Sequence, residues 1–274
     1  MPDQSPNPHV TPASVTVEVW LIELAASAAL VERAYNGLPP DARTRAKSFR
    51  TPEMQRRHIL AHSALRSLLA QKLNCVPQEI TFQSGTHGKP SLSTPHHPLL
   101  HFNLSHSGEL ALVAISEAAE VGVDIEHIRP IRDPFALAKR FFTPGEQNEL
   151  SAVPPEQQLN CFFRLWTQKE ALLKATGQGI ANGLHRFEVT SREGGGLVAV
   201  DGRAAAEFGW SLLNWTLGAP ASVVADSGAV EVPTRMSALP GRSVREHSAQ
   251  YVAACAVPAL KAMLVQQQFT FSQL

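Results

Sequence analysis

Trp166-Thr167-Gln168-Lys169-Glu170-Ala171-Leu172-Leu173-Lys174 lies inside a longer run, Leu159 to Thr176. Phe162, Leu165, Trp166, Leu172 and Leu173 recur in that run at the spacing of one buried helical face, which predicts an α-helix. Gly177 follows directly and suits a left-handed cap. Glu170 and Lys174 stand four apart, so their side chains rise from neighbouring turns. Two readings are open for them. They form a surface ion pair worth about 0.3 kcal/mol, or they are half-buried for a purpose, since burying charge without a partner is unfavourable.

Outward from this helix the pattern alternates. Upstream, Val15-Thr16-Val17-Glu18-Val19-Trp20-Leu21-Ile22 alternates and is rich in β-branched residues, so it opens the fold as a strand. Pro39-Pro40-Asp41 leads into a helix carrying Arg43, Arg45, Lys47 and Arg50. Thr51-Pro52-Glu53 then starts a longer helix, to about Leu73, with Thr51 as N-cap and Pro52 at its first position. Ile80 to Phe82 reads as a short strand, Ser84 to Pro90 as a loop, and Leu100 to Leu104 as a strand stopped by Ser105-His106-Ser107-Gly108. A tight turn joins it to Leu110–Ile115.

Val121 to Glu126 is a strand with an apolar odd face. Pro134 to Phe142 is a helix, and Thr143-Pro144-Gly145-Glu146 is a capping box that opens another. Strands follow at 186–190, 197–200, 210–216 and 250–257, while 218–248 shows no clear pattern. The strand–helix–strands order recurs on both sides of residue 118. The expected fold is therefore α+β: two similar α/β halves, residues 15–118 and 119–274, after a disordered tail over 1–14.

Composition narrows the function. The 274 residues are 44% hydrophobic and 18% charged, with 24 basic and 24 acidic side chains and zero net charge. That balance argues against non-specific nucleic-acid binding, which needs a basic surplus. Cys75, Cys161 and Cys255 match no metal or redox spacing and read as thiols of a reducing compartment. With no targeting segment and no apolar run of membrane-spanning length, a cytoplasmic protein is expected.

Three stretches carry chemistry. Asp124 and Glu126 are two apart in a strand and face the same way. Such a pair either lies solvated at a sheet edge or shares a cation, and oxygen ligands suit magnesium. In Phe102-Asn103-Leu104-Ser105-His106-Ser107, a serine, a histidine and a backbone amide at a strand end can grip a phosphate. His87, His96, His97, His101 and His106 crowd nearby, but on a proline-rich loop without partner cysteines they do not form a zinc pattern.

Together and in this order, FNLSHS, VGVDIE and WTQKEALLK resemble the 4'-phosphopantetheinyl transferases. The length and the doubled pattern resemble the surfactin-synthetase-activating type. The likeness runs from about Pro40 to Ile180. It implies magnesium and coenzyme A in a cleft between the two halves, with the serine of an apo acyl or peptidyl carrier protein attacking the coenzyme A pyrophosphate and 3',5'-ADP leaving. By resemblance, Asp124, Glu126 and Glu170 are the metal ligands, and Glu170 either coordinates the ion or accepts the serine proton. Lys174 neutralises the transferring phosphate.

Arg45, Arg57, Lys89, Ser105 and His106, with Asp124 and Lys174, would hold coenzyme A. A further basic position of the family is Ala42 here, which thins the phosphate contacts on that side. Glu146 matches an acidic position of the family, yet its place in the capping box accounts for it without catalysis. The likeness implies only that 190–274 complete the second half. With two halves in one chain, a monomer is expected. A catalytically silent carrier-binding module and a magnesium phosphohydrolase are the alternatives; three acids around one cation argue against the first.

Overall fold

The computed structural model describes residues 14–85, 87–93, 100–178, 183–192, 195–217, 251–258 and 262–271. The tail over 1–13, the Pro95–Pro98 stretch and the 218–248 segment lie outside the described residues. In chain order the elements are β1 (Val15–Glu23), α1 (Ala28–Gly37), α2 (Pro40–Lys47), α3 (Pro52–Leu73), β2 (Phe82–Ser84), β3 (Pro90–Leu92), β4 (His101–Ser107), β5 (Leu110–Ser116) and β6 (Gly122–His127). They continue with α4 (Pro134–Phe141), α5 (Pro144–Ala152), α6 (Pro155–Thr176), β7 (Phe187–Val189), β8 (Leu197–Val200), β9 (Arg203–Ala204), β10 (Ser211–Leu217), β11 (Tyr251–Val257) and β12 (Ala262–Phe269). The protein is a mixed α/β structure.

Two sheets face each other, with helices outside both. The first has the order β12-β1-β5-β4 and the second β10-β11-β6. Strand alternation explains the layering, because neighbouring residues point to opposite faces. Val15, Val17 and Val19 of β1 meet Val123 and Ile125 of β6 and Tyr251, Ala253 and Cys255 of β11 in one core between the sheets. Ile22 of β1 instead joins Leu60, Leu65 and Leu69 of α3. The even residues of β11, Val252, Ala254 and Ala256, pack against Phe162, Leu165, Leu172 and Leu173 of α6.

The two long helices are built alike. Each has 22 residues, begins with a proline and ends on a left-handed residue, Asn74 (φ 52°) after α3 and Gly177 (φ 67°) after α6. The α6 helix starts four residues earlier than its apolar spacing shows, because Pro155 is well suited to the first helical position.

Two expectations are corrected. The strand expected to stop at Leu104 continues through Ser105, His106 and Ser107, which pair with Leu112, Ala111 and Leu110 of β5. Polar side chains did not end it; Gly108 (φ 55°) does. Residues 190–274 do not all complete the second half either. β12 returns to the first sheet and pairs in parallel with β1, from Val15↔Ala262 to Ile22↔Phe269. As an edge strand it needs little apolar surface: Leu264 and Phe269 are buried, and Gln267 and Gln268 are exposed.

Gly122 sets how closely α6 approaches β6. A Cβ there would lie 2.0 Å from the Ala171 carbonyl oxygen and 2.3 Å from the Ala175 amide nitrogen. Both are helix backbone and cannot rotate away. Gly122→Ala is expected to cost about 3 kcal/mol or more by forcing the helix off the strand, measured as a lower thermal midpoint. An unchanged midpoint would show that α6 moves freely.

Candidate active site

The site forms where the edge strands of the two sheets meet, β4 from one and β6 from the other. Side chains stitch this seam. Asn103 Oδ1 accepts from the Val123 amide at 2.9 Å, Ser105 Oγ donates to Asp124 Oδ1 at 2.7 Å, and Ser107 Oγ donates to Glu126 Oε2 at 2.8 Å. The period of two in Asn103-x-Ser105-x-Ser107 puts all three on one face of β4. The acids of β6 are thus oriented by hydroxyls from the facing strand.

Helix α6 lies across this seam. Lys174 Nζ donates to Asp124 Oδ1 at 2.6 Å and to Ser105 Oγ at 2.9 Å. It makes no ion pair with Glu170 among the described residues. This settles against the surface-pair reading, since Lys174 reaches across to the strand and leaves the carboxylate one turn back. Asp124 is 4% and Glu170 7% exposed, and Glu126 is half-buried. Asp124 Oδ2 and Glu170 Oε1 are buried without a hydrogen-bond partner among the described residues. Buried polar oxygens seldom stay unsatisfied, so two in one acidic cluster mark a place for a cation or a donor.

The electrostatics agree. Burial pushes the Asp124 carboxyl up, with Lys174 and Ser105 opposing. Burial, then the neighbouring Asp124 and Glu126 charges, push Glu170 from 4.5 to about 7 against the pull of Lys174. The folded chain therefore holds a proton on Glu170 that a free glutamate has released. The resulting stability is full below pH 4.5 and is lost as pH rises through about 7. Metal-free protein is expected to match Glu170→Gln in stability near pH 4.5 and to fall below it by up to about 3 kcal/mol above pH 7. Thermal midpoints of the two proteins against pH check this; parallel curves would contradict it.

The basic residues divide. Exposed Arg45 lies near His58 and His62 of α3, and His106 of β4 joins them. The His58 and His62 rings are 4.1 Å apart. Burial, then the surrounding positive charge, lowers His58 to about 4 and His62 to about 3, so both are neutral. Sequence reasoning missed His62 as a site neighbour; its spacing of four from His58 on one helix was the available signal. Arg57 is tied to Glu109, its Nη2 2.6 Å from Oε1, beside Arg56 on the same carboxylate. Lys89 is also engaged: its amine donates to Glu120 Oε2 at 2.5 Å and to the carbonyls of Val121 at 3.2 Å and Ala175 at 3.1 Å. It thereby links the β2–β3 hairpin to β6 and to the end of α6.

Glu146 is elsewhere. It closes the capping box, accepting from the Thr143 amide at 2.8 Å, and also accepts from the Val189 amide at 2.9 Å. Lys169, a third of a turn from Glu170, points away from the acidic cluster. Its amine meets Glu146 Oε2 at 2.6 Å and the Phe187 carbonyl at 2.6 Å, with both charged side chains fully buried.

Residues 120–225 match the 4'-phosphopantetheinyl transferase superfamily, and residues 25–118 match the N-terminal family of 4'-phosphopantetheinyl transferases. The 4'-phosphopantetheinyl transferase HetI of Nostoc sp. is 41% identical over 183 residues, 66% of this chain and 77% of that protein. The chain belongs to the 4'-phosphopantetheinyl transferases. Sfp of Bacillus subtilis is 32% identical over 164 residues, 60% of this chain and 71% of its own, and supports the Sfp-like type. AcpT of Escherichia coli is 43% identical over 140 residues, 51% of this chain and 66% of its own. In this transferase the matched span includes β6, α6 and the acidic cluster.

Among the described residues, no three His, Cys, Asp or Glu side chains form a ready metal cage. The donor set still fits magnesium, which keeps several waters and takes a few carboxylates plus substrate phosphate. The two orphaned oxygens of Asp124 and Glu170 are donors of that kind.

Proposed function

We propose that this transferase moves 4'-phosphopantetheine from coenzyme A to a serine hydroxyl of an apo acyl or peptidyl carrier protein, releasing 3',5'-ADP. The observation that carries the reading is the pair of unsatisfied buried oxygens, Asp124 Oδ2 and Glu170 Oε1, beside the Lys174 ammonium. Asp124, Glu126 and Glu170 would hold magnesium. The ion, when bound, supplies charge stabilisation on the pyrophosphate oxygens. Glu170 either completes that ligand set or, once deprotonated, takes the serine proton as the new P–O bond forms. The bond to the 3',5'-ADP oxygen breaks, and Lys174 neutralises charge on the transferring group.

His106 and Arg45, with His58 and His62 beside them, support the anionic nucleotide end of coenzyme A, with Ser105, Arg57 and Lys89 on its flanks. Arg57 and Lys89 would exchange Glu109 and Glu120 for phosphate on binding. We further propose two halves related by a pseudo-twofold axis with the site between them. The matched design of α3 and α6, each packed on a sheet, supports this. A cytoplasmic monomer is the proposed setting, supported by the free thiols Cys75, Cys161 and Cys255. No helix among the described residues is long and apolar enough to cross a membrane.

Incubation with coenzyme A, magnesium and an apo carrier should add one phosphopantetheine to the carrier, read by intact-protein mass spectrometry. No gain across fatty-acid, polyketide, nonribosomal-peptide and siderophore carriers would overturn the reading. Free phosphopantetheine released without any carrier would favour the phosphohydrolase alternative.

A further inference from the structure

A cleft of about 430 Å³ opens between α1 and α3, lined in part by Arg33, Ala34, Leu38, Arg66, Ser67 and Ala70. Among the described residues no acid lines it, whereas two arginines do. None of its walls belongs to the acidic cluster of β6 and α6.

Arg66 is the unusual wall. It is 3% exposed, yet it has no carboxylate partner among the described residues. One guanidinium nitrogen, Nη1, donates to the Ile80 carbonyl, and the guanidinium carbon Cζ lies 4.8 Å from the centre of the Phe82 ring. Those contacts fix the group without neutralising it. Asp41 is the acid that bears on it electrostatically, and it is exposed on α2. Among the described residues Arg66 Nε is buried without a hydrogen-bond partner, and so is the hydroxyl of the next residue, Ser67. A buried cation without a counter-charge is costly to the fold, so the charge has a use or a missing partner.

We propose that this cleft binds a small organic carboxylate with an apolar body. With Nη1 committed to Ile80, the Nε–Nη2 edge remains, and that edge matches the two oxygens of a planar carboxylate. The Ser67 hydroxyl offers one further donor. Arg33 at the exposed rim adds attraction, and Ala34, Leu38 and Ala70 give the ligand body an apolar wall. A phosphate dianion fits less well, because one fixed guanidinium edge and one hydroxyl leave much of its charge uncovered. The volume lies within the range of small-molecule sites.

Calorimetric titration of the full chain with hexanoate and with benzoate tests the proposal, with inorganic phosphate as a separate arm. Saturable one-to-one binding is expected for at least one carboxylate, with no competition from phosphate. Arg66→Lys keeps the charge and removes the two-donor edge, and is expected to weaken binding about tenfold or more. Arg33→Glu, on the surface of α1, is expected to weaken it similarly while leaving the circular dichroism spectrum unchanged, so it decides the matter if Arg66→Lys does not fold. Three results would each overturn the proposal: no saturable heat with either carboxylate, affinity unchanged in Arg33→Glu, or phosphate binding more tightly than both.

Discussion

Asp124→Asn is expected to lower carrier modification by about 10³-fold while leaving the fold intact. The substitution preserves shape. An amide oxygen can still accept from Ser105, whose hydroxyl lies 2.7 Å from Asp124 Oδ1. What disappears is the negative charge facing Lys174 and the orphaned oxygen Oδ2. The loss of stability should be small for two reasons. The Lys174 side chain is 28% exposed and can rehydrate. Removing one of three neighbouring acids also relieves the repulsion that raises Glu170. Progress of the mass gain on the carrier, with magnesium varied, gives the number. Near-normal turnover at limiting magnesium would remove Asp124 from the proposed metal site, and a collapse of the thermal midpoint would recast it as structural.

The opposite separation is expected at Lys169. Lys169→Met leaves Glu146 fully buried without its cation and should cost about 3–5 kcal/mol, a drop of roughly 10 °C in midpoint for a chain of this size. Glu146→Gln should be similarly harmful. The double replacement should cost less than the sum of the two, because neither charge is then stranded. The Thr143 amide donates to Glu146 Oε2 and the Val189 amide to Oε1, so a glutamine oxygen keeps one of these bonds and its NH2 faces the other amide. Turnover per folded molecule should stay within a few-fold of the parent. If Lys169→Met kept its midpoint and lost turnover, the amine would belong to the chemistry after all.

These two sites show how far the linear chain could be read. The capping box at Thr143 and Glu146 was legible, because it is a local pattern of four residues and its geometry follows from helix termini alone. That Glu146 also holds Lys169 was not legible. The contact spans 23 positions and depends on how α5 packs on α6. The helix from Leu159 to Thr176, the cap at Gly177 and most of the β6 strand were legible for the same local reasons, whereas the first turn from Pro155 was not. The parallel strand β12 was not, because its glutamine-rich edge has no period-two signal and its partner β1 lies at the other end of the chain.

Within the cluster, the linear order of residues was enough to show which acids could act together. Strand alternation pairs Asp124 with Glu126, and helical spacing sets Glu170 one turn from Lys174. It also determined the family resemblance, since three motifs in order are a property of the chain. Tertiary structure alone decided the partners. Lys174 could have closed on Glu170, a few atoms away on its own helix. Gly122 instead lets α6 settle directly on β6, which brings Asp124 within 2.6 Å of that ammonium and leaves Glu170 buried with an unsatisfied oxygen. Local spacing lists the contacts a side chain can reach, and packing of the two sheets and the helix selects among them by which charges lose their water.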